Sequence, residues 1–400
     1  MEQELTYKNI AVAGCGAAGA MAALLLVKNP YFKVTVFDIN EPFSTLLPTG
    51  GGRCNITYDE DDIKEFVKNY PRGEKFLLSV FSKFDSVKTR CLFDDLGIKT
   101  YVQEDKRIFP ISNSALKTVE KLRKHLNVSN FIHRKEKVLA VEKNSNKFII
   151  KTDKNSYCFD NVIIASGGRG NGFELAKSLG HNVISPRPSL CALDIKESYL
   201  YNLAGVCLKG VEASIIINKR KKTCYGDILF THKSISGPCI FKISALSAFE
   251  DFDTNNPLEF ILKVTTYNRD EIEIDIKNNL KKTLKNVFSK YAPESFITEI
   301  MKANKIQPDK QTAQMNKKEK EILINSLLNL RLHAAGRIKN SEIVTAGGVD
   351  LNEINPKTME SKIVSGLYFI GEILNIDGFT GGFNLQNCWA GAYICSINII

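Results

Sequence analysis

The sequence predicts an α/β fold: a parallel, dinucleotide-binding sheet whose two halves are separated by an insertion. Three observations predict it. A G-x-G-x-x-G run lies between a short apolar strand and an Ala/Leu-rich helix near the N-terminus. A second strand follows at once and ends in an acid, Asp38. Two further strand-then-glycine segments appear, one at 161–168 and one at 366–397, the latter more than 300 residues beyond the first motif.

The N-terminal element is "KNIAVAGCGAAGAMAALLLVKNP" (8–30). It reads as a strand over Ile10–Ala13, a turn, and a helix that stops at Lys28-Asn29-Pro30. Gly14 makes the tight turn and Gly16 lets backbone N–H groups approach a pyrophosphate. Gly19 lets helix and strand close up, and the helix start, with Ala17 and Ala18, faces the anion. The next strand, "KVTVFD" (33–38), places Asp38 nineteen residues beyond Gly19. A carboxylate there accepts hydrogen bonds from adenosine ribose hydroxyls and repels a 2′-phosphate. The plainer reading is a buried Ala/Gly-rich helix followed by a chance acid. Residues 10–27 are eighteen uncharged, mostly apolar residues, which a signal peptide or membrane span also resembles. Against that, Lys8 is preceded by Glu2 and Glu4, and no second span appears. No membrane association is expected.

The third element is "LLPTGGGRCNIT" (46–57). Gly50, Gly51 and Gly52 let main chain lie against a cofactor. Arg53 suits a phosphate or a flavin carbonyl, unless it is only a surface residue on a flexible turn. Cys54 has no second cysteine within residues 55–60, which excludes a redox dithiol. It is either a packing residue or a weak acid near the cofactor, and Asn55 completes the cluster.

Two later segments complete a flavin site. "NVIIASGG" (161–168) is an apolar strand ending in Ala165, Ser166, Gly167 and Gly168. "GLYFIGEILNIDGFTGGFNLQNCWAGAYICSI" (366–397) is strand, acidic turn, glycine pair and helix. Gly371 and Glu372 suit the pyrophosphate or ribityl region. Gly381 and Gly382 lead into a helix starting near Asn384, with Leu385 and Gln386 in its first turn. Its N-terminal dipole favours the negative N1/C2 edge of a reduced flavin. The chain has no second G-x-G-x-x-G, so FAD is the expected resident and NAD(P)H at most a transient electron donor.

Composition bounds the rest. Four hundred residues, 44% apolar and 24% charged, suit a globular chain of two or three domains. The net charge of +10 is either a Lys-rich soluble surface or a polyanion-binding one, with RNA as the natural partner. Ten cysteines without a C-x-x-C pair argue against zinc or a disulfide framework. Reduced thiols in a cytoplasm, with no metal, are expected. Residues 190–268 read as short strands, with "GVEASIIIN" and "CYGDILF" flanking a Lys/Arg-rich hairpin turn, "KRKKT". Residues 270–330 read as helices, with eight Lys against three acids between 276 and 310. A helix is expected at 237–248, capped by Ser236 with Pro238 at its first turn. His232, in "FTHKSISGP", is either a satisfied structural residue or the leading proton donor. His333 and Tyr225 are weaker candidates, and His125, His133 and His181 have no motif around them.

Five segments together resemble the BaiN/YhiN-like FAD-dependent flavoproteins, the aminoacetone-oxidase or 3-dehydro-bile-acid reductase type. They are "TGGGRCNIT" (49–57), "RIFPISNSALKTVE" (107–120), "GDILFTHKSISGP" (226–238), "TAGGVDLNEINPKTMESK" (345–362) and "GLYFIGEILNIDGFTGGFNLQ" (366–386). The resemblance implies a Rossmann-like FAD-binding domain of the two-dinucleotide-binding-domain flavoprotein type, interrupted by an inserted β-barrel plus helical region. The boundaries then fall at 1–189 (FAD-binding, first part), 190–268 (barrel), 269–335 (helical) and 336–400 (FAD-binding, C-terminal part). It also implies reduction of a C=C bond conjugated to a carbonyl, in bile-acid-type enones or in a uridine of large-subunit (23S) rRNA. Tyr58, Lys106 and Asn375 depart from the residues usual in that family, respectively Asn, Gly and Asp. For this chemistry the candidate oxyanion donors are Arg53 and the N–H groups near Gly381–Gly382, and the candidate acids are His232 and Cys54. The implied partner is rRNA, bound through a basic surface, or a small-molecule enone. An amine or ketone oxidase and a non-catalytic, flavin-containing RNA-binding factor are the alternatives.

Overall fold

A computed structural model describes residues 7–399, so Glu2 and Glu4 lie outside the described residues. The chain forms two compact units, Met1–Arg187 with Val344–Ile400, and Pro188–Ile343.

The first unit is built on a five-stranded parallel sheet. Its order is Leu367–Phe369, Asn161–Ile164, Lys8–Ala13, Phe32–Phe37 and Phe131–Arg134. The carboxyl ends of the motif strands, residues 10–13, 34–37 and 161–164, are buried at every position, as in a sheet covered on both faces. The first helix, Ala17–Leu26, is buried at every position but Leu25, and it lies against the C-terminal helix Phe383–Asn398. The first strand begins two residues earlier than the apolar run suggests, at Lys8. Register aligns the strand ends: Ala13 lies beside Phe37 on one side and Ile164 on the other, and Ile164 beside Phe369. A small antiparallel sheet brings "CNIT" and "RIFP" together. Thr57 pairs with Ile108 and Tyr58 with Arg107. Lys106, just before that strand, holds φ 63°, the left-handed conformation at which glycine is least strained.

The second unit holds a closed six-stranded barrel, ordered Leu193–Ile195, Ile235–Ser236, Arg220–Phe230, Cys207–Ile217, Leu258–Lys263 and Leu330–Arg337. Alternate residues such as Val211, Ala213, Ile215, Ile228 and Phe230 fill one core together with apolar residues from four helices. Those helices are Arg269–Asn278, Leu284–Phe288, Glu294–Ala303 and Lys317–Leu328.

Four boundaries differ from the sequence reading. The barrel does not end at 268. Its closing strand, Leu330–Arg337, comes from beyond the helices and pairs with Leu258–Lys263 and Leu193–Ile195. The helical segment therefore interrupts the barrel instead of following it, because closure requires the last strand to return beside the first. The cap of helix Pro238–Leu246 is Gly237, at φ 100°, and Ser236 ends a strand. The hairpin turn is only Asn218-Lys219, so most of "KRKKT" is strand. Finally, the C-terminal helix starts at Phe383, one residue before the expected Asn384. Among the described residues no helix is long and apolar enough to cross a membrane.

Candidate functional site

Aligned register brings three glycine-bearing turns, at Gly14, Gly167 and Gly371, out of the carboxyl edge of one parallel sheet, the place where α/β folds bind ligands. A further turn, at Gly50, Gly51 and Gly52, lies on the chain leaving the strand that ends at Phe37. The first is tight. A Cβ on Gly14 would stand 2.5 Å from the Ala165 carbonyl oxygen, and one on Gly19 only 2.0 Å from the Gly14 oxygen. No side chain fits at either position. The first helix then starts at Ala17 with Gly16 as its cap. Gly16 offers no capping side chain, and Thr45 Oγ1 accepts the Ala17 N–H at 3.1 Å instead. Thr45 was invisible to motif reading because it belongs to no glycine run. Asp38 clips this loop in place. It accepts the Cys15 N–H at 2.8 Å, the Asn40 N–H at 2.9 Å and the Asn40 side-chain amide at 3.3 Å. A carboxylate has about four acceptor positions, so room remains for one ribose hydroxyl.

The second turn is open. Gly50, Gly51 and Gly52 hold φ of 58°, 67° and 80° in succession, a run only glycine adopts without strain. A Cβ on Gly51 or Gly52 would meet nothing within 4 Å. The turn is tied down by the Gly52 carbonyl, which accepts the Ala115 N–H at 2.8 Å. The half-exposed Arg53 guanidinium lies 4.1 Å from the centre of the Phe109 ring, and its Nε donates to the Gly50 oxygen at 3.3 Å. Among the described residues no carboxylate pairs with it, so its charge is free for an anion. Asn55 is buried and its Oδ1 has no partner. Of the two readings open for Cys54, burial favours packing over the acid. Its thiol is wholly enclosed by protein and burial pushes its pKa up to about 12. It is a packing residue, not an acid for substrate.

The third and fourth turns face each other. Beyond Ala165, the Ser166 Oγ is buried without a partner, and Gly167 takes φ 69°. Gly168 is packed so closely that a Cβ would sit 2.3 Å from Thr345 Oγ1 and 2.8 Å from Glu372 Oε1. Glu372 accepts the Thr345 N–H at 2.7 Å. Burial raises the Glu372 pKa above the ordinary carboxylate range, although the Thr345 hydrogen bonds and Arg169 pull the other way. Gly371, at φ 78°, lets this turn approach Ala18: a Cβ would stand 2.8 Å from the Ala18 methyl. Downstream, fully buried Asp377 makes a two-point ion pair with Arg72, a partner that no motif announced.

The glycine pair Gly381-Gly382 precedes the C-terminal helix, and a Cβ on Gly382 would stand 2.7 Å from the Thr57 carbonyl. Three of the residues expected to touch cofactor have other work. Asn384 closes its own loop, exchanging bonds of 2.8 Å with the Gly378 N–H and carbonyl. Leu385 is half-buried against the core. Gln386 is fully buried and spans two distant segments. Its Oε1 accepts from the Thr57 and Thr89 hydroxyls at 2.7 and 2.8 Å, and its Nε2 donates to the Phe84 carbonyl at 3.2 Å. One turn on, the Trp389 indole N–H donates to the Ile56 carbonyl at 2.9 Å. These two side chains fasten "CNIT" to the C-terminal helix. The neighbour that sequence reasoning passed over is Asn387, whose buried Oδ1 has no partner.

These features fit a flavin dinucleotide. Arg53 and the N-terminus of the C-terminal helix supply positive potential, and the open Gly51-Gly52 backbone allows close approach. The orphaned acceptors Asn55 Oδ1, Ser166 Oγ and Asn387 Oδ1 need donors of the kind that hydroxyl and imide groups provide.

The histidines and Tyr225 are held as follows. His232 is in the second unit, exposed at the two-residue tip of a hairpin that Thr231 and Ser234 clamp through a 2.6 Å hydroxyl contact. His333, in the same unit, is held by Glu197 at 2.7 Å. Tyr225 is an exposed strand residue. His125 bonds the Leu96 carbonyl, His133 the Asp38 carbonyl and His181 the Ser361 hydroxyl.

Comparison with known proteins gives a consistent set of relatives. The model of the HI0933-like protein Rossmann domain matches residues 8–398. The chain is 27% identical to the ribosomal RNA dihydrouridine synthase of Escherichia coli (strain K12), with 97% of each chain covered. It is 29% identical to the protein of that name from Haemophilus influenzae, with 98% of each covered. It is 27% identical to the 3-dehydro-bile acid delta(4,6)-reductase of Clostridium scindens, over 96% of this chain and 97% of that one.

Proposed function

The chain belongs to the HI0933-like Rossmann-domain family and is a flavin-dependent oxidoreductase, and from that premise we propose that it holds FAD and reduces the C=C bond of a uridine in large-subunit ribosomal RNA. The observation that carries the cofactor half is the meeting of three glycine turns at one sheet edge, with three orphaned acceptors and, in the same unit, Arg53, which no carboxylate pairs among the described residues. Two full-length relatives named for rRNA dihydrouridine synthesis and a net charge of +10 support the substrate half.

The uracil ring carries a C=C in conjugation with a C=O. Bound FAD, once reduced, supplies hydride chemistry toward the β-carbon of such a system. This chain's own residues must then stabilise negative charge on the carbonyl oxygen and deliver one proton to the α-carbon. Arg53 and the N–H groups at Gly381-Gly382 are the proposed oxyanion donors, each worth roughly 3 kcal/mol in a site of this kind. His232 is the proposed acid, presented by its clamped hairpin. Asp38 disfavours NADP at the dinucleotide site, and the sequence holds no second G-x-G-x-x-G for a nicotinamide cofactor, so NAD(P)H is proposed only as a visiting electron source. Ten free thiols and the proposed RNA substrate support a cytoplasmic setting for the activity.

A second reading, reduction of a small enone, has support from the bile-acid reductase relative at 27% identity. Nucleoside mass spectrometry of large-subunit rRNA from cells lacking the protein separates the two. The RNA reading predicts loss of a uridine that is heavier by two hydrogens, and its return on complementation. An unchanged modification pattern removes the RNA reading.

A further inference from the structure

The second unit carries one surface feature that its own fold leaves unexplained. Strands Cys207–Ile217 and Arg220–Phe230 form a hairpin longer than the barrel it belongs to. The first strand pairs with its other neighbour, Leu258–Lys263, only as far as Ile215 opposite Phe260. The second strand meets its other neighbour only at Leu229 and Phe230. Past Ile215 the two strands pair with each other alone, as Ile216 with Lys221 and Ile217 with Arg220. The tip is a two-residue turn, Asn218-Lys219, with φ of 49° and 62°. Paired positive φ values match the twist of a two-residue hairpin, which stiffens the ribbon.

This ribbon carries Lys219, Arg220, Lys221 and Lys222 in succession, all exposed. Among the described residues none of these four side chains makes a hydrogen bond or an ion pair. The lysine-rich helices of the same unit behave differently. There Lys285 pairs with Glu294, Lys290 with Asp275, Lys302 with Glu299 and Lys310 with Glu319. Much of the helical charge is thus neutralised internally, while the ribbon's is not. Edge strands do use lysine to prevent strand-to-strand aggregation. That purpose does not account for two large apolar-faced residues on the same ribbon. Ile216 is 71% exposed and Tyr225 60% exposed, and they point to the face that also carries Lys221 and Thr223. Glu212, the cross-strand partner of Tyr225, lies across from Lys263 in the next strand.

We propose that the 216–225 ribbon is an RNA-gripping arm: its four cations track phosphates and Tyr225 stacks on an unpaired base. Lys221 shares the face of Tyr225 and Arg220 and Lys222 project from the other face, so unneutralised cations surround the ring, the combination that binds single-stranded nucleic acid. The inference rests on the RNA reading above for its partner, but it concerns a different surface and is tested separately.

The test uses the full chain with its flavin, a short fluorescein-labelled single-stranded RNA, and anisotropy titrations across a salt series. The variant combines Lys219→Asn, Arg220→Gln, Lys221→Gln and Lys222→Gln. Asn at 219 tolerates positive φ, so the turn survives. The expected result is at least ~10-fold weaker binding at moderate salt. The slope of log affinity against log salt should fall by roughly 3, about 0.7 per lost phosphate contact. Flavin content and reduction of a small enone stay at wild-type level. Unchanged affinity and slope overturn the proposal. So does a loss confined to anionic phospholipid vesicles, which would make the ribbon a membrane contact. Should the quadruple variant fail to fold, Tyr225→Ala alone must weaken RNA binding several-fold with the salt slope intact, and no weakening overturns the stacking role. The two readings fail separately. If cells lacking the protein keep their dihydrouridine while the ribbon variant still loses RNA, the substrate reading falls and the arm stands. If dihydrouridine needs the protein but the ribbon variant restores it and binds RNA normally, the arm falls.

Discussion

Gly51 and Gly52 differ from Gly14 and Gly19 in what a methyl group would meet, and the difference separates ligand contact from folding. At Gly19 an added Cβ collides with backbone 2.0 Å away, so Gly19→Ala should abolish a folded first unit. At Gly52 it meets open space, and only the left-handed conformation resists it, at about 1–2 kcal/mol. Gly52→Ala should therefore lower FAD affinity by more than that strain lowers stability, measured by melting with and without FAD. Cys54 makes the opposite case. Because its thiol is enclosed and held protonated, Cys54→Ala should leave turnover far from the ~10²-fold loss that removal of a proton donor brings. His232→Ala should show that loss with flavin retained, and unchanged turnover would exclude His232 from the chemistry. Glu372 gives a pH signature. Its folded pKa is raised by burial, so its contribution to stability is present below the unfolded carboxylate pKa, about 4.3, and is lost as pH rises through the folded value. Wild type should fall behind Glu372→Gln across that window in denaturant unfolding, and parallel pH profiles would contradict the assignment.

At the scale of elements, what could be read from sequence was whatever is enforced locally. The glycine turns were legible because sterics act within a few residues, and the strands before them because full burial leaves an unbroken apolar run. Gln386 was not legible. Its position at the start of a helix suggested a ligand contact, yet its partner Thr57 is 329 residues away in the chain. The barrel's closing strand was missed for a related reason. Leu330, Leu332 and Ala334 alternate correctly for a strand, but they follow directly on a helix whose own Leu and Ile residues mask the change of period. Gln386→Leu tests the strut. It would leave the Thr57 hydroxyl and the Phe84 carbonyl without their partner, while Thr89 keeps its bond to the Asp85 carbonyl, at about 1–3 kcal/mol for each buried group left unsatisfied. Chemical denaturation should show a loss of several kcal/mol. A loss under ~1 kcal/mol would mean that other groups hold "CNIT" to the helix.

For the whole molecule, the sequence reading rested on segments at opposite ends of the chain meeting around one ligand. The parallel pairing of Leu367–Phe369 with Asn161–Ile164, next to Lys8–Ala13, supplies that meeting within the first unit. It was legible because the ends carry complementary half-motifs, and the intervening unit has a core of its own. The proposed RNA arm was not legible, since phosphate recognition needs only exposed charge, which sequence cannot separate from a solvated face. The most direct measurement is the visible absorption spectrum of the freshly purified protein, with the ligand released on denaturation identified by mass. The account predicts a yellow protein that releases one FAD per chain. A colourless protein that stays colourless after incubation with FAD would contradict it.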